Sequence, residues 1–144
     1  VTVRYLPQFF DYRTHLTYSK IETVNEIDEI RHPAIRNAMR YLDIKDIRLT
    51  YDADLPARSG LGTSSSFAVG LLNSFHALKG EYVDKKRLAN EAIYLERTLC
   101  NECGGWQDQI AAAYGGLNRI NFFEDSYEVH PIIISQERKS KLNK

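Results

Sequence analysis

The sequence is short of the features that narrow a protein quickly. Its 19 Lys and Arg residues balance 19 Asp and Glu residues, so the formal net charge is zero. That balance gives no push toward nucleic acid or an anionic membrane surface. No apolar run approaches the roughly 20 residues that a membrane-spanning helix needs. The first ten residues carry Arg4 and Pro7 and lack a signal-peptide layout. Position 1 is Val, not Met, as expected of a trimmed or incomplete chain. Cysteine is scarce, and Cys100 and Cys103 stand in a C-x-x-C spacing. A closed zinc site needs four ligands, but there is no second pair and no His nearby in sequence. Two reduced thiols in a cytoplasmic protein are the expectation. Repeats and low-complexity tracts are absent.

What remains is a chain of 144 residues with 43% hydrophobic content, enough to bury one core without disulfides or metals. Residues 13–24, rich in Thr, Tyr and Ile, read as a strand, and residues 25–31 as an acidic connection. His32-Pro33 opens a helix over 34–42, since Pro in the first turn gives up an N–H that has no partner there. Ile47, Leu49 and Tyr51 alternate with polar residues as in a half-buried strand. Phe67, Leu71, Leu72, Phe75 and Leu78 recur at helical spacing, with Gly80 as a stop. A second helix is predicted over 85–99, with Leu88, Ala92, Leu95 and Leu99 on one face. A short helix over 107–114 ends at Gly115-Gly116. Strands over 117–123 and 127–134 follow, and the tail from Gln136 is basic and polar. Strands come before, between and after helices, which argues α+β: a two-layer mixed sheet packed on helices.

The chemistry concentrates in Pro56-Ala57-Arg58-Ser59-Gly60-Leu61-Gly62-Thr63-Ser64-Ser65-Ser66, between a predicted strand and an amphipathic helix. Glycines let the backbone approach a ligand closely. The helix behind them offers unpaired N–H groups and the positive end of its dipole, an anion site. Four successive hydroxyls from Thr63 to Ser66 add donors and an oxygen for a magnesium ion. The pattern is not a Walker A loop, since no Gly-Lys-Ser/Thr follows, and it lacks the third glycine of a dinucleotide fingerprint. The plainer alternative is a Gly/Ser loop with a serine N-cap.

Two carboxylates accompany the loop. Glu96 follows Ala89 and Ile93 at i, i+4, i+7, on or beside an apolar stripe. A carboxylate there is costly unless it meets a cation or a donor. Magnesium on nucleotide phosphates would supply one, and an ion pair with Arg97 or Arg87 is the structural alternative. Asp108 opens the short helix after Gly104-Gly105-Trp106-Gln107, with small Ala111 and Ala112 on its face. It could accept a proton from a substrate hydroxyl, or simply favour the helix dipole. Trp106 could stack on a sugar ring or be a buried aromatic. His76 reads as structural or surface, and the Lys85-Lys86-Arg87 run as solvated surface.

Together, residues 56–66, the helix carrying Glu96, and the block Gly104-Gly105-Trp106-Gln107-Asp108-Gln109 ahead of Gly115-Gly116 resemble the GHMP kinases. The similarity spans most of residues 18–135 and is greatest to the heptose 7-phosphate kinase-like sugar branch. The resemblance implies that Pro56, Ser59, Gly60, Leu61, Gly62, Thr63, Ser64 and Ser65 wrap the phosphates of ATP. Thr63 stands where serine is more usual and keeps the hydroxyl. Ser64 and Glu96 would hold magnesium, Asp108 would act on the sugar hydroxyl, and Gly104, Gly105, Trp106 and Gln107 would line the substrate. The implied reaction moves the γ-phosphate to an anomeric hydroxyl of a sugar or sugar phosphate. The partners implied are a nucleotide and a small sugar, with no nucleic acid and no membrane. Family members are more than twice as long, so residues 1–135 would be an N-terminal ATP-binding domain incomplete at its start. Residues 136–144 would be a tail toward a missing C-terminal domain. A decarboxylase of the same superfamily and a non-catalytic nucleotide-binding remnant are the competing readings.

Overall fold

The computed structural model describes residues 1–54 and 60–142. Strands β1 (Thr2–Tyr5), β2 (Thr14–Thr17), β3 (Ile21–Val24) and β4 (Ile47–Thr50) form one mixed sheet in the order β1-β4-β2-β3. β1 runs antiparallel to β4, β2 runs parallel to β4, and β2 and β3 form a hairpin. The stretch read as one strand over 13–24 is therefore two. Tyr18-Ser19-Lys20 reverses the chain without the Gly or Asn that usually marks a hairpin turn. A 3-10 turn (Ile27–Glu29) lies in the acidic connection that follows.

Alternation decides which side of the sheet is covered. Leu16 of β2 and Ile47 and Leu49 of β4 point inward and are fully buried, while Arg48 between them is exposed. Helices α1 (Pro33–Tyr41) and α2 (Thr63–Leu78) supply Ile35, Met39, Leu71, Leu72 and Phe75 to the same core. Each such fully buried side chain contributes about 2 kcal/mol over its exposed state. These residues repeat at helical intervals, so α1 and α2 each bring one apolar face to the core.

The helix predicted over 85–99 is continuous but changes pitch. It is α-helical as α3 (Lys85–Ile93) and continues as a π turn (Tyr94–Leu99). Asp84 caps its start by accepting from the Arg87 N–H at 2.7 Å. The Cys100 N–H donates to the Leu95 carbonyl at 2.9 Å, the five-residue spacing of a π turn. α4 (Gln107–Tyr114) packs against both α2 and α3. A separate hairpin, β5 (Asn118–Phe122) with β6 (Tyr127–Pro131), and a terminal helix α5 (Gln136–Leu142) complete the described chain. The β6 strand stops three residues earlier than the sequence suggests, and the basic tail is helical through most of its length. Among the described residues, no helix is long and apolar enough to cross a membrane.

Candidate active site

Gly62 adopts a left-handed conformation (φ +70) and caps α2, whose first turn is Thr63 to Ser66. Glycine bears that φ at no steric cost. The Ser66 N–H closes the turn on the Gly62 carbonyl at 2.9 Å. Gly60, Leu61, Gly62, Thr63, Ser64 and Ser65 of the anticipated phosphate loop are therefore at or just before a helix start. Pro56 and Ser59 lie outside the described residues.

Along the first turn the two serines diverge. Ser64 is exposed, and its hydroxyl donates to Glu96 Oε1 at 2.8 Å. Ser65 is buried, and its hydroxyl donates to Glu96 Oε2, also at 2.8 Å. The Gln109 amide Nε2 donates to the same Oε2 from α4. Glu96 is only 2% exposed. Its inner oxygen is held by two protein donors, while its outer oxygen is shared with a solvent-facing hydroxyl. Among the described residues Glu96 makes no ion pair. The alternative pairings are used elsewhere, since Arg87 engages Glu91 at 2.8 Å and Arg97 donates to backbone carbonyls.

A carboxylate buried among neutral donors has no cationic partner to offset the cost of its burial. Hydroxyl and carboxylate oxygens are the donors a hard divalent cation prefers. Ser64 and the outer oxygen of Glu96 thus fit magnesium. No cluster of three or more His, Cys, Asp or Glu exists among the described residues. Two protein oxygens suit a cation that takes its remaining ligands from phosphates and water.

Asp108 arrives from the other side. It is the second residue of α4 and is exposed. A side chain on Gly62 would meet Asp108 Cγ at 3.5 Å and Oδ2 at 3.7 Å. The fold thus lays an exposed carboxylate on the glycine that caps α2. Ser64, Glu96 and Asp108, separated by up to 44 positions, converge on one helix start. Gly104, Gly105 and Gln107 are exposed beside it, and Trp106 is half-buried. Trp106 faces a cavity of about 490 Å³ between α3 and the β5–β6 hairpin, with Ile93, Tyr94, Thr98 and Tyr127 among its walls. Glu96 and Asp108 are not among the described lining residues of that cavity.

Gln109 escaped the sequence reading as a site residue, although it is fully buried and grips Glu96. The signal was a polar side chain beside Ile110 on the buried stripe of a short helix, the same kind of signal that marked Glu96. His76 is structural: it is fully buried, with Nε2 2.6 Å from Glu91 Oε2 and Nδ1 3.0 Å from Glu81 Oε2. Cys100 and Cys103 are free thiols. Burial pushes the Cys100 thiol up, against a weaker opposing pull from Asn37.

Comparison with known proteins gives the family and the fold. The GHMP kinases N terminal domain family matches residues 28–116. A D-glycero-alpha-D-manno-heptose 7-phosphate kinase from Campylobacter jejuni is 34% identical over 91 residues, 62% of this chain and 27% of the relative. An L-fucokinase/L-fucose-1-P guanylyltransferase from Bacteroides fragilis is 41% identical over 71 residues, 49% of this chain and 7% of the relative. The crystal structure of a D-glycero-D-manno-heptose 1-phosphate kinase from Bacteroides thetaiotaomicron superposes with a TM-score of 0.83 at 25% identity. That match covers 94% of this chain and 48% of the solved one. The chain thus spans about half the length of that structure, and less of the two sequence relatives.

Proposed function

The chain belongs to the GHMP kinase family, and from that premise we propose that it is the nucleotide-binding part of an ATP-dependent sugar kinase. The acceptor is the anomeric hydroxyl of a sugar or sugar phosphate, with a heptose 7-phosphate favoured by the named relatives. The observation that carries this reading is the placement of Asp108 on Gly62 while Ser64, two residues on, meets Glu96.

The residues divide the work. Backbone N–H groups from Gly60 to Ser65, at the positive end of α2, bind the ATP phosphates. Ser64 and Glu96 hold magnesium, with Ser65 and Gln109 fixing the carboxylate from behind. When bound, the ion neutralises charge on the phosphate oxygens. Asp108 accepts the proton of the sugar hydroxyl, or orients that hydroxyl toward the phosphate. Gly104, Gly105, Trp106 and Gln107 line the sugar side. The relatives are longer, so residues 1–135 act as the ATP-binding domain and 136–144 lead toward the rest of such a protein, in the cytoplasm where ATP is abundant.

The test measures ADP release with a panel of aldoses and their 7-phosphates, beside calorimetric titration of ATP with magnesium. Asp108→Asn is expected to abolish transfer and leave ATP binding nearly intact. Turnover that survives Asp108→Asn sinks the assignment. Absence of ATP binding to the unmodified protein sinks the kinase reading as a whole.

A further inference from the structure

We propose that Arg97 is a positioning residue: its guanidinium clamps the 102–105 loop and thereby sets where Asp108 stands over Gly62. The inference rests on the phosphoryl-transfer reading for its effect on rate, but the clamp itself does not. Arg97 Nε donates to the Gly105 carbonyl at 3.1 Å, and Nη1 donates to the carbonyls of Cys103 at 3.0 Å and Glu102 at 3.3 Å. Among the described residues it makes no ion pair with a carboxylate. A charged side chain near carboxylate-rich surface usually finds one; this one gathers three main-chain oxygens of a single loop.

Gly104 marks how closely the loop lies on that side chain. A Cβ there would come within 3.0 Å of Arg97 Nη2 and 3.1 Å of Cζ and Nη1, at a φ of +144 that L side chains rarely adopt. A side chain at 104 would press on the guanidinium and strain the backbone, which glycine avoids.

The π turn supplies the register. Its extra residue per turn sends Glu96 to the serines of α2 and Arg97 to the loop, and the Glu102 N–H returns to the Glu96 carbonyl at 2.9 Å. Two consecutive side chains thus hold the cation oxygens on one side and the approach to α4 on the other. From Gly105 only Trp106 and Gln107 intervene before Asp108. A loop released from Arg97 shifts the carboxylate, and a displacement of about 1 Å is enough to cost on the order of 100-fold in rate.

The full chain carries one tryptophan, Trp106, inside the segment concerned. Its emission reports the clamp without reference to activity. Arg97→Met and Arg97→Lys are compared with the unmodified protein by Trp106 fluorescence and acrylamide quenching. Amide exchange over 101–106, ATP binding, and kcat and KM for the sugar accompany them. Arg97→Met is expected to increase quenching of Trp106 and speed exchange in the loop. It should lower kcat about 10- to 100-fold and leave ATP binding within about twofold. Lysine, a point charge, cannot span three carbonyls, so Arg97→Lys should behave like the Met variant. Millimolar guanidinium should partly restore the neutral Met variant, and a merely structural defect would not respond to it. Gly104→Ala should reproduce the loop signature with Arg97 intact. Unchanged Trp106 quenching and exchange in Arg97→Met overturn the clamp. A mobile loop with unchanged kcat overturns its role in positioning. If the unmodified protein binds no ATP, the kinase reading fails while the Trp106 measurements still decide the clamp.

Discussion

Glu91 and Glu96 lie five residues apart on one continuous helix, and both are buried, yet they are satisfied in opposite ways. Glu91 meets groups that carry or accept positive charge: the Arg87 guanidinium at 2.8 Å and the His76 ring at 2.6 Å. Glu96 meets two hydroxyls and an amide, all neutral. The first is a closed unit that ties α2 to α3, its charge compensated inside the fold. The second stands among neutral donors at the start of a serine-lined helix. A carboxylate buried without a cationic partner is costly, which makes this the place where a further partner would gain most. The same residue type on the same helix is thus a tie in one place and an uncompensated carboxylate in the other.

The largest expected effect falls on Asp108, which lies against Gly62 at the same helix start. Asp108→Asn should reduce kcat by about 1000-fold or more, the scale of losing a positioned proton acceptor, with the ATP dissociation constant within about threefold. The next tests the tie. Glu91→Ala leaves Arg87 without its carboxylate and the fully buried His76 with Glu81 alone, and should cost about 3 kcal/mol. It would be read as a lower denaturant midpoint, and the magnesium dependence of ATP binding should be unchanged. Glu96→Gln is the counterpart. The amide keeps the shape and some of the hydrogen bonds, so stability should change by no more than about 1 kcal/mol. The gain in ATP affinity on adding magnesium should shrink about 10-fold, the scale of losing one charged ligand. If Glu91→Ala altered the magnesium dependence and Glu96→Gln only the stability, the two roles would be reversed.

Parts of this arrangement were legible before any coordinates. The bounds of α4 follow from Gly104-Gly105 and Gly115-Gly116, which bracket it and cannot continue a helix cheaply. Glu96 stood out because a carboxylate on an apolar stripe demands a partner. Other parts left no mark. The β2–β3 hairpin turns at Tyr18-Ser19-Lys20, residues no different from the strands around them. β1 has little buried surface of its own, so its β-forming Thr2, Val3 and Tyr5 make a strand only through pairing with β4. The π turn changes the helical period over six residues without changing composition, and it decides where Glu96 and Arg97 point. Gln109 stood on the buried stripe of α4, but its partner, Glu96, showed only once α4 had docked. Local propensity was readable; long-range convergence needed tertiary structure.

Glu22 gives the smallest effect and the sharpest control. It too is a buried carboxylate with neutral donors, accepting from the Tyr18 hydroxyl at 2.6 Å and the Arg31 N–H at 2.8 Å. Its donors come from its own hairpin and the connection after it, far in sequence from the serine loop. Burial pushes its carboxyl upward, but the Tyr18 hydroxyl and the N–H groups of Arg31 and His32, with the nearby Arg31 charge, outweigh it. The net shift is downward from the ordinary 4.5. A carboxyl depressed in the folded state stabilises the fold fully above its unfolded value and loses that contribution as pH falls through the folded one. The unmodified protein should therefore lose stability on acidification below about pH 5 more steeply than Glu22→Gln does. Denaturant midpoints at each pH provide the measurement. Magnesium dependence of ATP binding should be the same in both proteins. If Glu22→Gln weakened the magnesium response as Glu96→Gln is expected to, neutral donors around a buried carboxylate would say nothing about cations. The contrast between Glu91 and Glu96 would then rest on position alone.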